Sequence, residues 1–378
     1  MRLNEIPTPS YVIDEALIEK NCKILAEVIN KTGCHILLAQ KAFSNFALYP
    51  VIGKYISGTT ASGLYEARLG HEEMGMENHV FAPAYKEKDM EELVKICDHI
   101  VFNSLTQLEK YRYISENVSV GIRINPEIST QKDHAIYDPC VPGSRFGIVA
   151  DDLKEANLDG VEGIHFHTLC EQNADDLKRT LDVVEEKFGY LLHRMKWVNF
   201  GGGHHISRAD YDVDLLVKCI NHIKETYGVE VYLEPGEAIA LNAGYLVTTV
   251  LDMVCNSGIN NLILDASAAC HMPDVLEMPY IPPLRDAVII EEESEKKIFD
   301  YRLSGNTCLS GDIIGNYRFG HEIKIGERLI FEDMAIYSMV KNNTFNGIPL
   351  PSIYKMDAGG DCILIKAFDY SDFKGRLS

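Results

Sequence analysis

Along the first 240 positions, apolar residues fall in short solid runs, and between the runs they recur every three or four residues. The runs read as strands buried on both faces, the longer stretches as helices that cover them with one apolar side. The runs lie at 35–41, 55–60, 79–82, 99–103, 118–124, 163–167, 196–200 and 231–234. Helical spacing is clearest over 14–32, through Leu17, Ile18, Asn21, Ile24, Leu25, Val28 and Ile29, and over 175–189, through Leu177, Leu181, Val184 and Phe188. A strand and a helix repeated about eight times is the rhythm of an α/β chain closed into a (β/α)8, TIM-like barrel; an open doubly wound sheet is the alternative. After residue 240 the rhythm changes to strand-like runs at 244–254, 261–265, 287–290, 297–303, 328–331 and 353–365. These predict a mainly β C-terminal domain. The expected division is a barrel over 13–240 and a β domain over 241–378, with residues 1–12 a candidate to join the second.

Composition narrows the partners. The 378 residues carry 36 basic and 56 acidic groups, a net charge of −20, which argues against a nucleic-acid surface. An apolar fraction of 46% over this length supports a large buried core. The opening Met1-Arg2-Leu3-Asn4-Glu5-Ile6-Pro7 has no apolar segment after its Arg, and no apolar stretch is long enough to span a bilayer, so no membrane partner and a cytoplasmic location are expected. The ten cysteines are scattered without a CxxC pair. They read as reduced thiols, and no structural zinc site is expected.

In a barrel the active site lies where the strands end, so polar residues closing the runs are the first candidates. Lys41 follows the first run; its amine, partly desolvated at the barrel mouth, could form a Schiff base with an aldehyde, although a lysine in that place can also be a plain surface cap. Gly201-Gly202-Gly203 follows the seventh run, where missing Cβ atoms let backbone N–H groups approach a phosphate, or simply permit a tight turn. Glu234-Pro235-Gly236-Glu237 closes the eighth run and brings two carboxylates there, one of which could hold a heterocyclic nitrogen protonated and the other meet a cation; a water-facing turn is the bland alternative. His165 and His167 share one strand face, spaced as in some metal pairs, but too few further ligands are evident, and no metal is expected. In the β-rich part, Cys308, near Gly311-Asp312, could return a proton to carbon, and Tyr337 could bind a phosphate.

Taken in order, Ala39-Gln40-Lys41-Ala42, Ala61-Ser62-Gly63-Leu64-Tyr65-Glu66, His167, Gly201-Gly202-Gly203, Glu234-Pro235-Gly236, Cys308 with Gly311-Asp312, and Tyr337 span nearly the whole chain. Together they resemble the fold-type III pyridoxal-phosphate decarboxylases, the alanine racemase/ornithine decarboxylase-like enzymes. The resemblance implies a barrel followed by a β domain, pyridoxal 5'-phosphate as cofactor, and a homodimer with active sites at the subunit interface. It implies that Lys41 is the Schiff-base lysine, that His167 stacks on the pyridine ring, and that Gly202 and Gly203 form the phosphate-binding turn. It implies further that Glu234 faces the pyridine nitrogen, that Tyr337 binds the phosphate, and that Cys308 reaches across from the partner subunit.

Many members carry Arg where this chain has Glu237. That change, with His167-Thr168-Leu169-Cys170-Glu171 and the stretch His271-Met272-Pro273-Asp274-Val275-Leu276-Glu277-Met278-Pro279-Tyr280, resembles the carboxynorspermidine decarboxylases, which also accept carboxyspermidine. The implied reaction is decarboxylation of a carboxylated polyamine to norspermidine or spermidine. Glu237, Asp274 and Asp312 are the acidic candidates to meet its ammonium groups. Catalysis is expected from Lys41, Glu234 and Cys308, with Lys41 competing as proton donor. A diaminopimelate or other basic amino-acid decarboxylase, a metal-dependent barrel hydrolase and a non-catalytic pyridoxal-phosphate carrier are the alternatives.

Overall fold

A computed structural model describes residues 1–113, 118–131, 135–290 and 297–378. The chain divides into two compact units, one of residues 19–239 and one of residues 1–18 with 240–378. The first eighteen residues thus go with the C-terminal part, because Ser10–Asp14 is itself a strand, β1. Its apolar Tyr11-Val12-Ile13 is too short a run to stand out in the sequence.

Eight parallel strands close into a barrel: β2 (His35–Ala39), β3 (Gly58–Ala61), β4 (Glu77–Phe81), β5 (His99–Phe102), β6 (Ser119–Arg123), β7 (Val161–His165), β8 (Trp197–Asn199) and β9 (Glu230–Leu233). Pairing of Ile36 with Leu233 joins the last strand to the first. The helices between them bury one side each: in Ala174–Leu192 the buried positions include Leu177, Leu181, Val184 and Phe188, and in Glu15–Thr32 they include Cys22, Leu25 and Val28. The barrel interior is filled by Leu37, Val101, Trp197 and Tyr232. The single tryptophan needs its neighbours to be glycine. A Cβ on Gly163 would stand 2.0 Å from the Trp197 ring, and one on Gly121 would stand 2.3 Å from it.

The other unit is built on a nine-stranded sheet in the order β12-β14-β13-β11-β10-β1-β16-β17, with β15 also pairing β10. Its strands are β10 (Gly244–Asn256), β11 (Ile259–Leu264), β12 (Ala287–Ile289), β13 (Asp300–Ser304), β14 (Ile313–Phe319), β15 (Arg328–Glu332), β16 (Ser352–Met356) and β17 (Cys362–Lys366). β10 runs 13 residues and pairs with β1, β11 and β15. The expected run 353–365 is in fact a hairpin of β16 and β17, since Gly360 turns the chain with a φ of 78°. β14 escaped the sequence reading because Gly315, Asn316 and Arg318 dilute its apolar pattern. Among the described residues, no helix is long and apolar enough to cross a membrane.

Candidate active site

All barrel strands point the same way, so the residues just beyond Ala39, His165, Asn199 and Leu233 gather at one end. There a cavity of about 380 Å³ opens, lined by Lys41, Thr60, Arg123, His165, His167 and Glu234 among others. Lys41 lies two residues past β2. Its side chain is reachable by solvent through the mouth yet ringed by protein. That desolvation lowers its pKa, against the pull of Glu234 in the opposite direction.

Glu234 is 8% exposed and fully engaged. Its Oε1 accepts from Thr60 Oγ1 at 3.0 Å and from Asn199 Nδ2 at 2.8 Å, while its Oε2 accepts from His165 Nε2 at 3.2 Å. Burial alone would raise its pKa, but His165, His79 and Asn199 outweigh burial and hold the carboxyl well below its usual range. Burial pushes the His165 imidazole down. The pair is therefore a neutral imidazole donating to a carboxylate. His167 is also driven well down, by burial first and then by Lys41 and Arg123. Its Nδ1 accepts the Gly202 N–H at 2.9 Å, so the proton of the neutral ring sits on Nε2.

Arg123 went unnoticed in the sequence. It ends β6 and is 5% exposed, with its guanidinium 4.6 Å from the Phe81 ring centroid and 4.5 Å from that of Phe146, and it donates to the His167 carbonyl at 3.2 Å. Burial brings its pKa down to about 10, which still leaves it a cation beside Glu234 and Lys41. The rule that polar residues closing the runs deserve attention would have found it, as it is the only charged residue of the run 118–124.

The glycine turn packs against the strand ends. Gly201 has a φ of 72° and Gly203 a φ of 83°, and a Cβ on Gly202 would stand 2.6 Å from the Glu234 carbonyl oxygen. Gly202 commits its N–H to His167, as above, which leaves Gly203 as the freer member of the expected phosphate turn. Glu237, expected to face a substrate ammonium, has a partner within the barrel: its Oε2 is 2.7 Å from His205 Nε2.

Four candidates lie in the other unit. Asp312 is 2% exposed and accepts from Ser267 Oγ at 2.8 Å, Thr307 Oγ1 at 2.6 Å and the Ala269 N–H at 3.2 Å. Asp274 and Glu277 both bind the Lys341 ammonium, so in this structure the two carboxylates are engaged within the unit. Cys308 is an exposed thiol, its N–H donating to Asn346 Oδ1 at 2.8 Å. Tyr337 is half-buried and holds a φ of 48°, uncommon for a side chain of its size.

Residues 10–335 match a family described as pyridoxal-dependent decarboxylase, C-terminal sheet domain. The chain is 42% identical to a carboxynorspermidine/carboxyspermidine decarboxylase of Campylobacter jejuni subsp. jejuni, over 100% of both chains. A crystal structure of carboxynorspermidine decarboxylase from Campylobacter jejuni, complexed with norspermidine, is 42% identical and superposes with a TM-score of 0.92, covering 98% of this chain and 100% of that one. A carboxyaminopropylagmatine decarboxylase of Synechocystis is 39% identical over 100% of this chain and 97% of its own. A diaminopimelate decarboxylase of Archaeoglobus fulgidus is more distant, 27% identical over 92% of this chain and 87% of its own. A barrel with a desolvated lysine and a buried carboxylate at its mouth, followed by a β unit, is thus the expected architecture made concrete: the chain belongs to the pyridoxal-dependent decarboxylases, in the branch that holds the carboxynorspermidine/carboxyspermidine decarboxylases.

Proposed function

We propose that the protein removes CO2 from carboxynorspermidine, and from carboxyspermidine, to release norspermidine or spermidine. The observation that carries this reading is the full-length likeness, at 42% identity, to a decarboxylase named for those two substrates. A second reading, carboxyaminopropylagmatine as substrate, is favoured by the 39% identity to the Synechocystis enzyme. All three compounds are carboxylated polyamine-like molecules.

The barrel mouth fits pyridoxal phosphate. A cavity of about 380 Å³ is of the size that small-molecule sites occupy, its lysine has a lowered pKa, and its floor is an ionised carboxylate. Lys41, His167, Glu234 and the Gly201–Gly203 turn would hold the cofactor, with Tyr337 as a further phosphate ligand. When bound, pyridoxal phosphate supplies the electron sink for the pair left at Cα as CO2 departs. Glu234, held ionised by its three donors, keeps the proton on the ring nitrogen. Lys41, whose pKa is lowered by burial against the pull of Glu234, is the amine offered as nucleophile to the cofactor aldehyde. The His167 ring, locked through Gly202, offers a flat wall to the site. Cys308 is the first candidate to return a proton to Cα, and Lys41 is its competitor. Of the acidic groups of the β unit, Asp274 and Glu277 are the ones offered to the ammonium groups of the substrate, while Asp312, buried and held by three donors, supports the segment that carries Cys308.

This reading includes a homodimer whose partner subunit brings Cys308 to the barrel, and a cytoplasmic location. The test is incubation of the pyridoxal-phosphate-loaded protein with carboxynorspermidine, carboxyspermidine, carboxyaminopropylagmatine and meso-diaminopimelate, with products identified by mass. Norspermidine and spermidine as the fastest-formed products are expected. Lysine from diaminopimelate, with no product from any carboxylated polyamine, would overturn the substrate assignment and leave the cofactor chemistry standing.

A further inference from the structure

Cys308 stands in the loop between β13 and β14, and the base of that loop is closed by its own bonds. The Gly305 N–H donates to the Asp312 carbonyl at 2.9 Å, the Asp312 N–H to the Leu309 carbonyl at 2.9 Å, and Thr307 Oγ1 to Asp312 Oδ2 at 2.6 Å. Cys308, Leu309, Ser310 and Gly311 are left exposed. From another part of the chain, Cys308 is reached by Asn346, 38 positions on, whose Oδ1 accepts the Cys308 N–H at 2.8 Å. Asn346 holds a φ of 57° and a ψ of 13°, a left-handed conformation that Asn adopts more readily than most residues with a side chain. Its turn is itself fixed. Asn343 Oδ1 accepts the Phe345 N–H at 2.9 Å, and Asn343 Nδ2 donates to the Ala269 carbonyl at 2.7 Å. Asp312 grips the same short helix, Ala268–His271, by accepting the Ala269 N–H at 3.2 Å. The turn that carries Asn346 and the loop that carries Cys308 are thus fastened to one helix, and the Asn346 bond links them directly.

A group that returns a proton to carbon must stand within hydrogen-bond reach of it, and a misplacement of about 1 Å can cost about 100-fold in rate. For cysteine that aim is set by the backbone, because a single torsion with three staggered settings places Sγ once Cα is fixed. A bond to the residue's own N–H therefore decides where its thiol can stand. We propose that Asn346 is a positioning residue for the reaction: its left-handed turn and its Oδ1 hold the backbone of Cys308 and so fix the point from which the thiol delivers a proton to Cα. The proposal rests on the reading of Cys308 as proton donor. Both residues belong to one unit of one chain, so the hold is independent of how the thiol meets a barrel.

The experiment uses the pyridoxal-phosphate-loaded protein and three variants, N346G, N346D and C308A. Glycine keeps the left-handed backbone and removes the acceptor, while aspartate keeps both. Three quantities are read: kcat and KM for carboxynorspermidine, amide exchange at Cys308 by mass, and the share of turnovers that end in pyridoxamine phosphate. That side product reports a misdirected proton. When the cofactor's aldehyde carbon takes the proton in place of Cα, hydrolysis leaves the amine nitrogen on the cofactor and the oxygen of water on the product as an aldehyde. In N346G, kcat should fall by about 10- to 100-fold with KM within about twofold of wild type, and the pyridoxamine phosphate share should rise. Exchange at Cys308 should quicken by about tenfold or more while the urea midpoint stays in place. N346D should restore all of these to within about threefold of wild type. Unchanged exchange or an unchanged kcat in N346G would overturn the proposal, as would an N346D as impaired as N346G, since the acceptor would then not be the cause. A fall in kcat matched by a raised KM and a lowered urea midpoint would mean a merely structural contact and overturn it too. Wild-type turnover in C308A would remove the thiol as donor and the proposal with it, and is distinguishable because Asn346 is untouched in that variant.

Discussion

Both ends of the barrel carry a glutamate set among histidines, and the two ends do opposite things with it. At the mouth, Glu234 accepts from Thr60, Asn199 and His165 beside an open cavity that also holds a lysine and an arginine. At the other end, Glu77 opens β4 and meets His79 Nε2 at 2.9 Å and His35 Nδ1 at 3.5 Å. The space around Glu77 is closed by rings: His79 stacks on His99 at 3.9 Å, His99 on Trp197 at 4.6 Å, and His35 on Tyr232 at 4.6 Å. Burial would raise the Glu77 pKa, but hydrogen bonds from His35, His79 and Tyr232 hold it far below the ordinary range. The same acid–imidazole chemistry thus serves as a reactive floor where space and a lysine stand beside it, and as a seal where aromatic packing leaves no space. What separates a site from a structural network here is the cavity, not the carboxylate.

The largest effects expected from breaking this comparison lie at the mouth. Lys41→Ala should lower the rate of polyamine release by about 1,000-fold or more, measured as product by mass under saturating substrate. Glu234→Gln should cost about 100- to 1,000-fold in kcat while the protein still binds pyridoxal phosphate, because a neutral amide cannot hold the ring proton. A kcat within a few-fold of wild type would remove Glu234 from the mechanism.

At the sealed end the losses should appear in stability and spare kcat. Gly163→Ala drives a methyl into the Trp197 ring and should destabilise by about 1–3 kcal/mol, read from the urea midpoint. Glu77→Gln should cost about 1–2 kcal/mol near neutral pH. Its folded pKa lies below the unfolded one, so the Glu77 contribution is fully present above the unfolded carboxylate range and is lost as pH falls through the folded value. The variant should therefore lose part of the wild type's acid sensitivity below about pH 4.5. His99→Phe should show the smallest change at neutral pH. Burial, and then His79, depress the His99 pKa to about 3, so stability from its neutral form is full above the unfolded value of about 6.5 and is lost as pH falls towards 3. Removing the imidazole should flatten the stability profile in that window, and an unaltered slope would show that His99 does not carry it.

The eight barrel strands were legible because each is a short apolar run ended by polar or small residues, and the observed strands overlap all eight expected runs. Lys41, His167 and Glu234 were legible for the same reason, as polar residues closing those runs, and the structure brings them to one cavity. Arg123 was open to the same rule and was passed over; what the sequence did not show is its burial between Phe81 and Phe146. The pairing of Glu237 with His205 joins positions 32 apart, and no local pattern encodes such a contact. The same holds for Lys341 with Asp274 and Glu277, 67 and 64 positions apart. β1 was missed as a strand because its reason to exist is its partners, β10 on one side and β16 on the other.

The place of β1 also bears on how the chain is made. Ser10 pairs with Val247 on one side and with Ser352 on the other, so β1 waits for neighbours synthesised hundreds of residues later. At 5–20 residues per second that is roughly 20–70 s for the second neighbour. The barrel strands, by contrast, are contiguous in the chain and can close while β1 is still without its sheet. The nascent chain therefore holds an unpaired apolar edge until β16 has emerged, and deletions that strip β1 would leave a gap between β10 and β16.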